Sequence, residues 1–201
     1  KERSQYALAV APVMQRGASL SYSDKEIRTQ IFGTNEEYME TISTNIEKGR
    51  FFTNSEDKSG MRVTVIGDGI KKAFFGDEEA IGKYIKIDNM KFRVIGILEE
   101  QAKFLGLFST DKQAILPFGA YKRIFSKRGF MRLSVKVPED KIEEAVDEMS
   151  FVMRHIRDLK PNQKNDFAIN QTKAFEKQYN TLKIAIGGTG TFITLLSLIV
   201  G

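Results

Sequence analysis

The chain has 201 residues, of which 41% are hydrophobic and 28% charged, so it can bury a core and is not a disordered tail. It has no cysteine and one histidine, which excludes a disulfide framework, a thiolate site and any metal site with two histidines. The net charge of +5 is spread along the sequence, whereas nucleic-acid-binding proteins usually gather basic residues in one stripe.

Two strands and one helix are predicted at the start of the chain. Residues 6–14 predict an apolar strand whose end Pro12 places near a sheet edge, and residues 26–32 predict a half-buried strand, because Ile27, Thr29 and Ile31 alternate onto one face. A helix follows, capped by Thr34 or Asn35 and ended by Gly49 as the residue after its C-cap. Its apolar stripe at helical spacing is Tyr38, Met39, Ile42 and Ile46.

The middle of the chain predicts mostly strands. Residues 63–66 form a β-branched strand, and a short helix, 70–75, follows it and ends at a glycine. Residues 83–98 predict a hairpin, since Asp88-Asn89 between its apolar runs tolerates the left-handed conformation of a tight turn. The run "AILPF" predicts a short strand, with a short helix over 118–125.

The last third predicts a strand over 130–137, a helix from Asp140 that Pro161 ends, and a strand over 166–171. From residue 184 to 201 the chain has no charged residue. Because a spanning helix needs about 20 apolar residues, we interpret this segment as the first part of a transmembrane helix. A buried core helix is the alternative. The small residues common in membrane helices are present as Gly187, Gly188 and Gly190.

These elements predict an α+β protein in two parts. Residues 1–59 and 126–172 form one strand-and-helix part, and the β-rich residues 60–125 are inserted into it. The polar run 53–60 predicts a loop at the boundary between the parts. Residues 173–201 continue as a helix into the apolar segment. The chain does not begin with Met, and we expect it to be an internal piece of a longer protein.

Three patterns suggest chemistry but fail on their details. The turn at 67–69 begins like a dinucleotide fingerprint, but Lys72 stands where the third glycine is needed. The stretch "KRGFMRLSV" begins like an RNA-recognition strand, but Met131 and Arg132 break the motif that positions the stacking rings. His155 lies in an amphipathic helix, which favours a structural role. We find no constellation that would activate a nucleophile or hold a metal, and predict no enzyme.

Read together, these segments carry a specific order of motifs. Residues 33–98 and the elements after them resemble the extracytoplasmic domain of MacB-type, FtsX-like ABC transporter permeases, the family of the macrolide exporter. The resemblance covers nearly the whole chain and ends in "IAIGGTGTFITLLSLIVG", similar to the family's second transmembrane helix. The matching positions are Gly33, Tyr38, Gly49, Arg50, Phe51, Phe52, Gly67, Phe74, Phe75, Gly76, Ile81, Gly82, Lys83 and Pro117.

The resemblance implies a fold, a location and partners. The part built from both chain ends would be the α/β "Porter" subdomain, and the insert would be the β-rich "Sabre" subdomain. The domain would lie on the periplasmic side of the inner membrane, in a homodimer with four transmembrane helices per subunit. ATP and Mg would bind a cytoplasmic ATPase domain or subunit, and no cofactor is expected in this chain. A periplasmic adaptor and an outer-membrane channel are possible further partners, and nucleic acid is not one.

Two functions are consistent with these expectations. In the first, the domain is a non-catalytic coupler that transmits ATP-driven movement through a stalk helix packed by Phe175, Tyr179 and Leu182, for export or efflux. In the second, it is a passive module that captures a peptide, lipoprotein, drug or partner protein. The predicted contact for that module is the apolar stretch "KFLGLF", with Phe104, Leu105, Leu107 and Phe108, unless these side chains pack into the insert's own core.

Overall fold

The computed structural model describes residues 4–42, 44–100, 111–125 and 131–171. Its contacts divide the chain into two compact units, Lys1–Ala145 and Val146–Gly201, and the strands lie in the first. In this part of the chain the strands are β1 (Ala9–Tyr22), β2 (Lys25–Thr34), β3 (Ile46–Gly49), β4 (Val63–Gly67), β5 (Tyr84–Ile87), β6 (Met90–Leu98), β7 (Gln113–Pro117) and β8 (Met131–Lys136).

The helices are short, and most of them connect or cover strands. They are α1 (Tyr38–Thr41), α2 (Asn54–Ser59), α3 (Asp68–Phe75), α4 (Phe118–Ile124) and α5 (Ile142–Ile156), the last preceded by a 3₁₀ turn at Glu139–Lys141. The predicted mixture of strands and helices is therefore confirmed. None of the helices in the described ranges is long and apolar enough to cross a membrane, and residues 184–201 lie outside those ranges.

Six of the strands form a closed ring of hydrogen-bonded pairs. The order is β2-β7-β4-β6-β5-β1, and β1 pairs back onto β2 along nine residue pairs from Met14↔Gly33 to Tyr22↔Lys25. The β2–β7 and β4–β6 pairs are parallel, and the other pairs in the ring are antiparallel. β8 extends the sheet beyond β1, and β3 pairs with β6.

Two hydrophobic clusters hold this arrangement together. The first takes buried side chains from all six ring strands, so it fills the interior of the ring, and Ile70 and Phe74 of α3 and Tyr121 of α4 join it. The second lies on the other face of the same strands and includes Tyr38 and Phe52. Because β4 supplies both clusters, all five of its residues are buried.

Several predictions of local structure are confirmed. β4 and α3 follow each other as expected, with Gly76 ending α3. The hairpin of β5 and β6 turns at Asp88 and Asn89, which both have the positive φ that the prediction required, 44° and 68°. The run "AILPF" forms β7 and the start of α4, and α5 corresponds to the helix predicted before Pro161.

The long helix predicted before Gly49 is wrong. Its first part forms only the single turn of α1, with Glu37 rather than Thr34 or Asn35 at the N-cap position. Its last part is β3. The antiparallel partner β6 supplies backbone hydrogen bonds to Ile46 and the residues after it, and a marginal helix cannot match these bonds. Gly49 has the expected positive φ, 80°, but it ends a strand.

Two further predictions are wrong. The polar run 53–60 contains helix α2, whose Thr53 and Glu56 form a reciprocal capping box and whose C-cap is Gly60. Residues 166–171 contain no strand, contrary to the prediction for this segment. The division into parts 1–59 plus 126–172 and 60–125 stays a prediction. The pairings β2–β7, β3–β6 and β1–β5 connect strands from both parts.

Candidate functional site

The motif Gly49–Phe52 lies against the backbone of β6. The Arg50 N–H donates to the Ile95 carbonyl over 3.0 Å, directly after the last β3 pair. A Cβ placed on Gly49 would overlap the Ile95 carbonyl oxygen, and one placed on Gly96 would overlap the Arg50 carbonyl oxygen. The two glycines therefore let two backbones approach more closely than any other residue would allow.

The two phenylalanines of this motif anchor the segment. Their ring centroids are 4.0 Å apart in a stacked arrangement. Phe52 is 2% exposed and belongs to the second hydrophobic cluster, while Phe51 is partly buried against that cluster. Their role in the described structure is therefore packing.

Arg50 forms a bidentate ion pair with Glu56. Nη1 lies 2.7 Å from Oε2 and Nη2 lies 2.7 Å from Oε1. Glu56 also accepts the Thr53 backbone N–H over 2.9 Å, and its side chain is nearly buried. The Arg50 guanidinium, followed by the Thr53 N–H, lowers the pKa of Glu56 to about 2. A motif residue from the strand end thus fixes the first turn of α2.

Helices α2 and α4 complete each other's ends. The Asp57 Oδ1 accepts the Gly119 N–H at the start of α4 over 2.7 Å, and the Arg123 guanidinium donates to the Ser59 carbonyl at the end of α2 over 2.5 Å. Burial raises the pKa of the Asp57 carboxyl, whereas the Gly119 N–H lowers it. A Cβ on Gly119 would overlap the Asp57 carbonyl oxygen, so glycine is needed for this approach.

Replacing Asp57 with alanine is expected to lower the free energy of unfolding by about 1 kcal/mol, the usual cost of losing a capping acceptor. Asp57→Asn is the matched control, because its amide oxygen can still accept the Gly119 N–H and asparagine caps as well as aspartate. Denaturant unfolding followed by circular dichroism measures both variants. Equal losses for alanine and asparagine would show that the hydrogen bond to α4 is not what stabilises this joint.

The turn after β4 is filled by protein. The Gly69 N–H donates to the Asp111 carbonyl over 3.0 Å, and a Cβ on Gly67 would overlap that same carbonyl oxygen. Asp68 is 2.7 Å from Lys72 in an ion pair. The glycines of the turn at 67–69 therefore bring the backbone of residue 111 against the turn, in the space that a pyrophosphate would need.

The remaining motif residues have separate structural roles. Phe74 is 3% exposed in the first cluster, and Gly76 ends α3 with a φ of 58°. The Gly82 N–H donates to the Val94 carbonyl over 2.8 Å, and Pro117 pairs with Thr34 as the last residue of β7. The motif positions that identify the resemblance thus hold the sheet and its helix ends together and do not line one shared cleft.

A cavity of about 340 Å³ lies beside α3. Two of its acidic groups are paired with lysines: the Lys83 ammonium lowers the pKa of Glu78, and the Lys48 ammonium lowers the pKa of Glu79. The described ranges contain no group of three or more histidine, aspartate or glutamate side chains that could hold a metal. The cavity is lined by Glu47, Lys48, Asp68, Lys71, Asp77, Glu78, Glu79 and Ile97.

The side chains predicted for coupling and for partner contact lie outside the described residues. They remain predictions from the sequence. The structure instead brings out Glu56, Asp57 and Arg123, which the sequence analysis did not single out. The predicted positions outside the described ranges are Phe175, Tyr179 and Leu182 for the stalk, and Phe104, Leu105, Leu107 and Phe108 for the apolar contact.

Residues 1–150 match the family described as the MacB-like periplasmic core domain. The chain belongs to this family. The match covers the whole ring of strands and the motif positions, so the resemblance predicted from "GRFF", "VTVIG" and the later motifs is confirmed. The packing roles of these residues are therefore features of a MacB-like periplasmic domain.

Curated relatives of the MacB-like domain are named as exporters. This chain is 28% identical over 198 residues to the pyoverdine export ATP-binding/permease protein PvdT of Pseudomonas aeruginosa. It is 26% identical over 204 residues to the macrolide export ATP-binding/permease protein MacB of Wolinella succinogenes. Each match covers 96% of this chain but only 29% or 30% of the relative, so the chain spans about a third or less of the relatives' length.

Solved structures show the same fold. The periplasmic region of MacB from Actinobacillus actinomycetemcomitans matches with a TM-score of 0.73 and 20% identity, over 89% of this chain and 78% of that one. The extracellular domain of the ABC-type transporter YknZ from Gram-positive bacteria matches with a TM-score of 0.67 and 21% identity, over 78% of this chain and 79% of that one. The mixed fold of the MacB-like domain is therefore shared with extracytoplasmic domains of transporters.

Proposed function

We propose that the MacB-like domain is the non-catalytic, extracytoplasmic coupling part of an ABC transporter permease. In this proposal ATP hydrolysis on a cytoplasmic ATPase moves the domain, and its movement drives export or efflux. The family match and the export names of the relatives support the transporter class. The ATPase would carry the ATP and Mg, either as a fused domain or as a separate subunit.

The mechanical part of the proposal rests on the length of strand β1 and on its pairing with three other strands. Its 14 residues span about 46 Å at about 3.3 Å per residue. β1 is hydrogen-bonded to β8 over its first half and to β2 over its second half, and it also pairs with β5. A displacement applied at the start of β1 would therefore reach the ring of strands through the nine residue pairs with β2 and the two with β5.

The start of β1 is also tied to the segment after β2. The Val10 N–H donates to the Glu37 carboxylate over 2.8 Å, and the Asn35 amide donates to the Val10 carbonyl over 3.1 Å. The pairing of β1 with β2 begins at Met14↔Gly33, so Val10 has no backbone partner in β2. The two side chains take the place of that partner. The strand thus keeps polar partners toward its beginning, which suits an element that carries force.

The surroundings of the domain are part of the same proposal. We expect the intact protein to be a homodimer in the inner membrane, with this domain on the periplasmic side and a transmembrane helix beginning in residues 184–201. An adaptor and an outer-membrane channel would extend the path across a second membrane. These partners follow from the resemblance to MacB-type permeases.

The coupling proposal is tested in the full-length transporter at the predicted stalk. Replacing Asn180 and Thr181 with glycines is expected to abolish most transport while ATP hydrolysis continues, because two glycines cost about 1 kcal/mol or more of helix propensity. The measurements are export of the transported compound and phosphate release from the same preparation.

The matched control replaces the same two residues, Asn180 and Thr181, with alanines, which favour a helix. The alanine variant is expected to transport like the natural protein. Full transport by the glycine variant would rule out a rigid stalk, and loss of ATP hydrolysis in step with transport would place the defect elsewhere.

A further inference from the structure

The outward face of the β5–β6 hairpin carries cations and an aromatic ring. Tyr84 lies opposite Arg93, and Lys86 lies opposite Lys91, so these four side chains share one face of the two strands. All four are exposed, whereas the alternating residues of the same strands point into the first hydrophobic cluster. Tyr84 is 58% exposed, which is unusual for an aromatic residue in a strand.

The charges on this face are not explained by stability. Like charges directly opposite each other on antiparallel strands destabilise the pair, and Lys86 and Lys91 are such a pair. Elsewhere in the described ranges lysines are used in ion pairs, as Lys48 is with Glu79 and Lys83 with Glu78. In those ranges no ion pair includes Lys86, Lys91 or Arg93.

Arg62 borders this face. The Arg93 N–H donates to the Arg62 carbonyl over 3.0 Å, while Val63, the first residue of β4, is the residue that pairs with Arg93. Arg62 is exposed, and no ion pair in the described part of the chain includes it. Met61 beside it is 44% exposed. Methionine side chains adapt to irregular partner surfaces, so this end of the face adds apolar contact area.

Two acidic residues of the described ranges, Asp88 and Glu26, lie beside this face and have partners of their own. Asp88 is 2.9 Å from Arg16 and also accepts the Ser19 N–H. Ser21 of β1 lies between Glu26 of β2 and Lys86 of β5. The Glu26 carboxylate accepts a hydrogen bond from the Ser19 hydroxyl. The face of Tyr84, Lys86, Lys91 and Arg93 therefore presents positive charge that no ion pair in the described ranges neutralises, and we call these four residues the basic face.

We propose that the basic face docks an acidic segment of a partner protein. Charge complementarity selects an anionic occupant, and the Arg93 guanidinium can bind a carboxylate in a bidentate fashion. A protein is favoured over a lipid surface, because the face is a rigid sheet surface with one aromatic ring and lacks the continuous apolar side by which interfacial elements enter lipid. Tyrosine and arginine are also enriched in protein interfaces.

The test uses the full-length protein in nanodiscs of zwitterionic lipid and a fluorescein-labelled peptide of glutamate residues as the probe. The triple variant Lys86→Gln, Lys91→Gln, Arg93→Gln is expected to weaken peptide binding about tenfold in fluorescence anisotropy. Added salt should weaken binding by the natural protein, since the charges are exposed.

The matched control, Lys58→Gln, Lys112→Gln, Lys122→Gln, removes the same net charge from exposed positions outside the basic face. It is expected to bind the peptide like the natural protein. An equal loss in the control would overturn the proposal, because binding would then follow net charge alone. Binding to vesicles with phosphatidylglycerol that depends on the basic face, without peptide binding, would overturn it in favour of a lipid surface.

A second variant separates docking from folding. Lys91→Glu converts the like-charge pair with Lys86 into an opposite-charge pair, so the thermal unfolding midpoint should stay the same or rise. Peptide binding should nevertheless fall. Unchanged peptide binding in a folded Lys91→Glu protein would overturn the proposal.

Discussion

Replacing Gly49 with alanine is expected to lower the free energy of unfolding by about 4 kcal/mol, the sum of backbone strain and a steric clash. Its φ is 80°, a conformation that costs a residue with a Cβ about 1–2 kcal/mol. The added Cβ would also overlap the Ile95 carbonyl oxygen, the acceptor of the Arg50 N–H. Relief requires β3 to move away from β6, which breaks the backbone contacts of the "GRFF" motif.

Two other glycines separate these contributions. Gly82 has a φ of 84°, but a Cβ there would meet nothing within 4 Å, so Gly82→Ala should cost only the backbone strain, about 1 kcal/mol. At Gly17 the φ is not positive and the nearest atom would be 3.9 Å away, so Gly17→Ala should be close to neutral. Denaturant unfolding of the three variants gives the comparison. Similar losses for Gly49→Ala and Gly82→Ala would show that β3 accommodates the Cβ.

Local signals were sufficient where neighbouring residues determine the structure. The hairpin turn at Asp88 and Asn89 needs two residues that tolerate positive φ, and few other dipeptides supply them. The step from β4 to α3 likewise follows from a β-branched run, a glycine turn and an apolar pattern that Gly76 ends. These elements required no knowledge of the rest of the chain.

Predictions failed where local patterns fit two structures. Ile42 and Ile46 are spaced as on a helix, but Ile46 lies in a strand because β6 provides a partner. The run after Phe52 was interpreted as a loop from its polar composition. The Thr53-x-x-Glu56 spacing, with Gly60 beyond it, is nevertheless a capping-box pattern and could have predicted α2.

The candidate site was predictable only in part, for a related reason. The "GRFF" residues are adjacent in sequence, and Arg50 reaches Glu56 within the same local segment. The bond from Asp57 to Gly119 joins residues 62 positions apart, and no periodicity indicates it. The basic face likewise depends on the register that places Lys86 opposite Lys91. Contacts of this kind follow from strand order, which propensity and alternation do not determine.

The pairing of Arg50 with Glu56 gives the other large effect. Replacing Arg50 with alanine is expected to lower the free energy of unfolding at neutral pH by about 2 kcal/mol. This value is below the cost of breaking a fully buried pair, because the Arg50 side chain is 52% exposed and solvent screens it. The loss arises mainly because the nearly buried Glu56 carboxylate stays ionised without its cation. Its remaining hydrogen-bond donors are the Thr53 backbone N–H and hydroxyl.

The same pair predicts a pH dependence with a definite sign. The pKa of Glu56 is about 2 when folded and near 4.5 when unfolded, so its contribution is complete above pH 4.5 and is lost as the pH falls toward 2. The difference in stability between the natural domain and Arg50→Ala should therefore shrink across that window. Denaturant unfolding at several pH values measures this difference.

An exposed lysine–glutamate pair serves as the control for this experiment. Lys83 and Glu78 are 2.6 Å apart, but the Glu78 side chain is 71% exposed, so Glu78→Ala should change stability little at any pH. A difference between the natural domain and Arg50→Ala that stayed constant from pH 7 to pH 2 would show that Arg50 acts through packing of its stem. In that case the ion pair would not be what holds α2 to the end of β3.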